Sequence, residues 1–279
     1  MKIGIVGLGL IGGSLAIDLR SQGHQIYGIS RDLETCQIAL KREIADDAST
    51  ECEILSATEI VIICTPIKAI APTIKQIIPH INPETIITDV GSVKQPIVEE
   101  CSQLWQHFIG GHPMAGTTAS GIDAAVANLF TGAAYVITPT ATSKPENVAK
   151  LKAIALELNA IPHVCDAQIH DRAVSWISHL PVMVSASLIK ACLQEEPDTL
   201  ELAQILASSG FRDTSRVGGG NCELGVMMAK YNREELLRSL LQYRQNLDEI
   251  VDFIQQEDWH SLEQTLQTNA KARPKFLNT

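Results

Sequence analysis

The segment Lys2-Ile3-Gly4-Ile5-Val6-Gly7-Leu8-Gly9-Leu10-Ile11-Gly12-Gly13-Ser14 begins one residue into the chain and reads as a strand, a glycine-rich turn and the start of a helix. In that order the glycines have separate tasks. Gly7 permits the tight turn, Gly9 lets the backbone approach a pyrophosphate, and Gly12 lets helix and strand pack closely. The backbone of Leu8, Leu10 and Ile11 lines the same turn, and the helix N-terminus that they open attracts negative charge. A glycine pattern alone is weak, but the helix Leu10 to Gln22 and a second strand, Gln25 to Ile29, supply the βαβ context that makes it a dinucleotide site.

Working outward, cofactor choice is read at the end of that second strand, Gly28-Ile29-Ser30-Arg31-Asp32. An acid there would accept from a ribose 2′-hydroxyl and repel a 2′-phosphate. Ser30 stands at the acid's place, and Arg31 brings a guanidinium that can form paired bonds to phosphate, so NADP is expected. Asp32 keeps NAD open: with the register off by one or two residues it is the ribose acid, and otherwise it caps the next helix.

Short β-branched runs continue at Glu59 to Cys64, Thr85 to Asp89, Phe108 to Gly110, Ala134 to Thr138 and Ile161 to Val164, with helical stretches between them. Strand C-termini of an open α/β sheet line the ligand crevice. Cys64, Thr65 and Pro66 after one strand, and Gly91 and Ser92 after the next, are therefore expected beside ribose and nicotinamide. Capping of the following helix is the plainer reading of Ser92 and Asp89.

Beyond Asp166 only helices are expected, at Ala167 to Cys192, Thr199 to Ala207, Glu223 to Lys230, Arg233 to Gln256 and Ser261 to Lys271. The expected fold class is α/β: an N-terminal Rossmann-type parallel-sheet dinucleotide-binding domain, residues 1–165, plus a C-terminal all-helical domain, residues 166–279. Leu236, Leu237, Leu240, Leu241, Leu247, Ile250, Val251 and Ile254 form a stripe that must be buried, within the domain or in a homodimer.

Three polar segments stand out for chemistry. Gly110-Gly111-His112-Pro113 follows a strand and reads as a loop in which glycines admit a ligand and His112 can act as a base. Ser178-His179-Leu180-Pro181 lies in a helix that Pro181 should kink. Phe211-Arg212-Asp213-Thr214-Ser215-Arg216 reads as a polar loop whose arginines can clamp a carboxylate. Core packing for His179 and surface ion pairs for the arginines are the plainer alternatives.

Composition narrows the classes. The 279 residues are 45% hydrophobic and 19% charged, and a net charge of -10 gives no footprint for nucleic acid. With no run of 18 apolar residues and no secretory leader read at the N-terminus, a soluble, cytoplasmic protein without membrane partner is expected. Seven cysteines without a C-x-x-C pair read as reduced thiols, and no metal set is seen.

Taken in order, G-L-G-L-I-G-G-S, D-V-G-S-V-K, G-G-H-P-M-A-G, S-H-L-P and G-F-R-D-T-S-R resemble the prephenate/arogenate dehydrogenases of tyrosine biosynthesis over essentially the whole chain. The resemblance implies that His112 is catalytic and assisted by Ser92, that Arg216 binds the substrate carboxylate, and that His179 lies near the ring. It implies oxidation of a cyclohexadienol at its C4 carbinol, followed by loss of CO2. Many relatives carry a second histidine after S-H-L-P, where this chain has Val182. That change, the short form and Ser30-Arg31 are similar to NADP-dependent arogenate dehydrogenases of cyanobacterial and plant type, with prephenate as the alternative substrate. A β-hydroxyacid dehydrogenase would need an asparagine one turn after Lys190, which Ala-Cys-Leu-Gln does not supply. A non-catalytic NADP-binding sensor subunit would leave His112 and Arg216 without a task.

Overall fold

The computed structural model describes residues 1–117 and 119–277. They form two compact units, Met1–Asn232 and Arg233–Thr279. In the first unit, β1 (Lys2–Val6), α1 (Leu10–Ser21), β2 (Gln25–Ile29), α2 (Leu33–Lys41), β3 (Asp47–Ser49), β4 (Ile60–Ile63), α3 (Ile70–Ile77), β5 (Ile86–Asp89), α4 (Gln95–Leu104) and β6 (Phe108–Pro113) alternate as the periodicity predicts. They are followed by β7 (Ala134–Thr138), α5 (Pro145–Glu157) and β8 (Ile161–Val164). The eight strands order as β3-β2-β1-β4-β5-β6-β7-β8. The first six follow the doubly wound dinucleotide-binding order, which reverses between β1 and β4 and opens a crevice there.

Strand alternation builds two cores. Ile60 and Ile62 of β4 point to one face with Ile3, Ile5, Leu15 and Leu19, while Val61 and Ile63 point to the other with Ile70, Ile74 and Ile97. With both faces covered, the strand must be apolar throughout, and Ile60-Val61-Ile62-Ile63 is. Each fully buried isoleucine contributes about 1.5–3 kcal/mol.

The structure corrects several expectations. The sheet is not wholly parallel, because β6 and β7 pair antiparallel, His112 opposite Val136. β6 runs on through His112 and Pro113, so His112 sits in a strand and not in a loop. β3, three residues long, was too short for any period to register.

The helical segment of this unit comprises α6 (Ala167–Val174), α7 (Leu180–Cys192), α8 (Pro197–Leu206), α9 (Ser209–Ser215) and α10 (Cys222–Tyr231). Residues Phe211–Ser215, read as a loop, are helical, and Arg216 opens a 3-10 turn, Arg216–Gly219. Between α6 and α7 lies a π-helical turn, Ser175–His179, directly before Pro181. Proline cannot donate the regular helical bond, and the wider turn accommodates its ring.

The continuous helical stretch Ala167–Cys192 is, contrary to expectation, long and apolar enough to cross a membrane by length and composition, with a mean hydropathy of 1.2 over its best window. In this fold the stretch buries His170, Asp171, Ser175, His179 and Ser185, the polar face of an interior helix. The second unit consists of α11 (Arg233–Gln255) and α12 (Trp259–Ala272). On α11 only part of the leucine stripe is buried: Leu236 is, whereas Leu237, Leu241, Leu247, Val251 and Ile254 are exposed in the single chain.

Candidate active site

The crevice at the C-terminal ends of β1, β2, β4 and β5 gathers the residues expected around a dinucleotide. Gly7 has φ +103, a left-handed conformation, and its N–H donates to Ile29 O at 2.8 Å, tying the turn to the end of β2. A Cβ on Gly12 would lie 1.9 Å from Gly7 O and 3.1 Å from Cys64 Cβ, so only glycine fits between turn and helix. Above Gly9 there is open space, and as N-cap of α1 it offers no side-chain bond to the first helical amides. Those amides of Leu10, Ile11 and Gly12 are the donors that a pyrophosphate satisfies. Around the rim, the hydroxyls of Thr65 and Ser92 are buried without a partner, and Pro66 and Gly91 flank them. The open cradle and the two orphaned hydroxyls fit a dinucleotide.

At the end of β2, Asp32 is committed to its helix. Its Oδ1 accepts from Glu34 N at 3.2 Å and its Oδ2 from Thr35 N at 3.1 Å and Thr35 Oγ1 at 2.7 Å, which holds the carboxyl below its usual range. Ser30 Oγ accepts from Asp32 N, and Arg31 is exposed with no hydrogen bond or ion pair among the described residues.

The chemistry centres on β6. His112 is 9% exposed, and its Nδ1 lies 2.8 Å from His170 Nε2. His170 Nδ1 in turn lies 2.7 Å from Asp171 Oδ1. Asp171 accepts from Lys94 N at 2.7 Å and Gln95 N at 2.8 Å, so the helix α4 is capped by a side chain distant in sequence, not by Ser92 or Asp89. Asn232 Nδ2 bonds Asp171 O at 2.8 Å and His179 Nδ1 at 3.1 Å, while His179 Nε2 is buried without a partner.

Below this chain lies a buried ion pair. Lys94, fully enclosed, donates to Asp89 Oδ2 and, at 2.7 Å, to Gly111 O, while Gly111 N donates to Asp89 Oδ1 at 3.1 Å. The pair clamps the backbone immediately before His112. Burial holds the His112 imidazolium well below its ordinary range, and His170, Lys94 and His179 add to the effect. Burial also lowers His179, to about 4, against the opposing pull of Asp171.

Two neutral buried imidazoles make stability depend on pH. Unfolded histidine takes up a proton below about 6.5. The folded state does not until its own lower pKa is reached, so stability is full above 6.5 and falls as pH drops toward 4. For His179 alone the span amounts to about 3 kcal/mol. The melting temperature should fall between pH 7 and pH 5, and less steeply in His179→Gln; identical slopes for the two proteins would remove His179 from this role.

The structure thus brings His112 and His179 into one network and adds His170, Asp171, Lys94 and Asn232, which sequence reasoning missed. Ser92 Oγ makes no bond to His112, whose Nδ1 is taken by His170. Arg216 stands apart, exposed and without a partner among the described residues. Its turn nevertheless seats on α7: a Cβ on Gly218 would lie 2.5 Å from Ala186 N, six to seven residues along from His179, about 10 Å by helical rise.

Two family models match the chain, "Prephenate dehydrogenase, nucleotide-binding domain" over residues 15–163 and "Prephenate dehydrogenase, dimerization domain" over residues 166–268. Among similar proteins, the prephenate dehydrogenase of Bacillus subtilis (strain 168) is 33% identical over 265 residues, 92% of this chain and 71% of that protein. The crystal structure of Synechocystis arogenate dehydrogenase matches with a TM-score of 0.93 and 53% identity, over 99% of this chain and 100% of that one. Prephenate dehydrogenase from A. aeolicus, solved in complex with hydroxyphenyl propionate and NAD+, matches with a TM-score of 0.92 over 99% of this chain and 98% of that one; at 24% identity, this is a likeness of fold.

Proposed function

This chain belongs to the prephenate/arogenate dehydrogenase family, and on that premise we propose that it is an NADP-dependent arogenate dehydrogenase, converting arogenate to tyrosine by oxidative decarboxylation. The observation that supports this most is His112: a neutral, enclosed imidazole one strand away from the dinucleotide crevice, with its Nδ1 already engaged and its other ring nitrogen left for substrate.

NADP, when bound, supplies the acceptor for the hydride lost from the ring C4. His112 takes the C4 hydroxyl proton as the carbinol becomes a ketone. The carboxylate bond at the opposite ring carbon then breaks, its electron pair aromatises the ring, and CO2 leaves. Ser92, with a free hydroxyl beside the crevice, holds the hydroxyl or the nicotinamide amide in place. Arg216 binds the substrate carboxylate, and His179 lies against the ring. Thr65, Pro66, Cys64 and Gly91 line the nicotinamide half of the crevice, and Gly7, Leu8, Gly9, Leu10, Ile11 and Gly12 the pyrophosphate half.

Preference for NADP rests on the tied-up Asp32 carboxylate and the unpaired Arg31 guanidinium beside Ser30. Arg31→Ala should raise the KM for NADP about 10–100-fold and leave that for NAD unchanged; equal changes in both would assign the 2′-phosphate elsewhere. Arogenate is favoured over prephenate by Val182, an apolar side chain that packs against Gly225, and by the likeness to the Synechocystis enzyme. The Bacillus relative keeps prephenate as the second reading. Turnover of the purified protein with arogenate and prephenate, each with NADP and NAD, tests this directly, and absence of turnover in all four mixtures would end the reading.

The division of labour follows the sequence segments, residues 1–165 holding the dinucleotide and 166–279 completing the substrate site and a homodimer. Exposed Leu202, Ile205 and Leu206 on α8, and the open half of the α11 stripe, supply apolar surface for that pairing. Seven free cysteines agree with a cytoplasmic setting.

A further inference from the structure

The proton positions on the two active-site histidines can be deduced from the hydrogen bonds around them. Asp171 accepts two backbone N–H groups, which can only donate. A carboxylate with an ordinary aspartate pKa is ionised at neutral pH, so the short contact to His170 Nδ1 requires the proton on that nitrogen. Neutral His170 then has a bare Nε2, and the 2.8 Å contact with His112 Nδ1 requires the His112 proton to sit on Nδ1. The remaining nitrogen, His112 Nε2, is left as a lone pair.

The same logic gives His179 the opposite form. Asn232 Nδ2 faces a backbone carbonyl, Asp171 O, which fixes that atom as the amide nitrogen. Its second hydrogen therefore points to His179 Nδ1, which accepts, and the His179 proton sits on Nε2, the atom buried without a partner. An orphaned buried donor is costly to keep and is satisfied by an acceptor brought by a ligand.

We propose that His170, Asp171 and Asn232 are positioning residues that lock His112 and His179 in opposite tautomers, one offering the substrate an acceptor and the other a donor. A hydroxyl that must lose its proton then meets a nitrogen free to take it, with no tautomer exchange beforehand. The inference rests on His112 as the base of the proposed reaction, but the protonation pattern itself is a property of the resting protein. The groups facing His112 are His170 and Asp171 from α6, His179 from the π turn, Lys94 at the start of α4, Asp89 at the end of β5 and Tyr135 on β7.

The decisive measurement is 15N NMR of the full-length protein with labelled histidine, free of substrate, at neutral pH, with His112 and His179 assigned through His112→Asn and His179→Asn. The expected spectrum shows His112 protonated at Nδ1 and bare at Nε2, and His179 the reverse. His112 carrying its proton on Nε2 would overturn the proposal, whatever the enzyme turns over.

Kinetics supply the second arm. His170→Leu removes the acceptor for His112 Nδ1–H and should lower kcat about 10–100-fold with little change in either KM, as loss of an outer partner typically does. His170→Gln is of similar size, and its amide oxygen can still accept that bond, so it should recover much of the loss. Equal losses in both variants would reduce His170 to packing. A variant that fails to fold leaves the wild-type spectrum to decide.

Discussion

His112→Asn lowers kcat by about 10²–10⁴-fold, or roughly 3–5 kcal/mol of barrier, while a fluorescence titration with NADPH gives an unchanged Kd. The size of the effect follows from position. His112 is the neutral imidazole on the strand that borders the crevice, and the Lys94–Asp89 pair fixes the backbone just before it. Asparagine retains a polar side chain but no basic nitrogen. Because the cradle for the pyrophosphate lies on β1 and α1, cofactor affinity has no reason to follow turnover. A tenfold loss or less, or a parallel loss of NADPH binding, would take the base role away from His112.

Arg216→Ala raises the KM for arogenate about 10–100-fold and leaves the KM for NADP within a factor of two. A charge-assisted, bidentate bond to a carboxylate contributes about 1.5–3 kcal/mol. Arg216 is free to make such a bond because no acidic residue of the chain engages it, in contrast to Arg212, which bonds Asp213 at 3.1 Å. Arg216→Lys, with the charge but not the fork, should fall between. If both Michaelis constants rise together, the arginine serves the fold or the cofactor and another cation must receive the carboxylate.

What could be read in the residues, and what could not, divides along physical lines. Local patterns were legible: the strand, glycine turn and helix at residues 2–21, and the apolar run Ile60–Ile63, carry their structure in their own periodicity. Gly110-Gly111-His112-Pro113 misled, because glycine and proline signal a turn, whereas cross-strand pairing with β7 carries the strand through them. Ser209–Ser215 reads as a loop by composition, yet packs as a helix beside α7. His170 and Asp171 went unnoticed since an adjacent histidine and aspartate near a helix start look like solvated surface. Only the fold shows the pair capping α4 from 76 or 77 residues away. The signal that could have found them was present in Lys94 and Gln95, which begin a helix with no capping side chain of their own.

The π turn at Ser175–His179 has a bearing on how this gene can vary. Removing one residue from those five would restore regular winding and rotate everything downstream by roughly 100°, since each residue of an α-helix subtends that angle. His179 would swing off Asn232, and the seat for Gly218 on α7 would face elsewhere. Related genes can therefore exchange letters across this stretch, but insertions and deletions there should be purged, a constraint on length that no inspection of side chains would disclose.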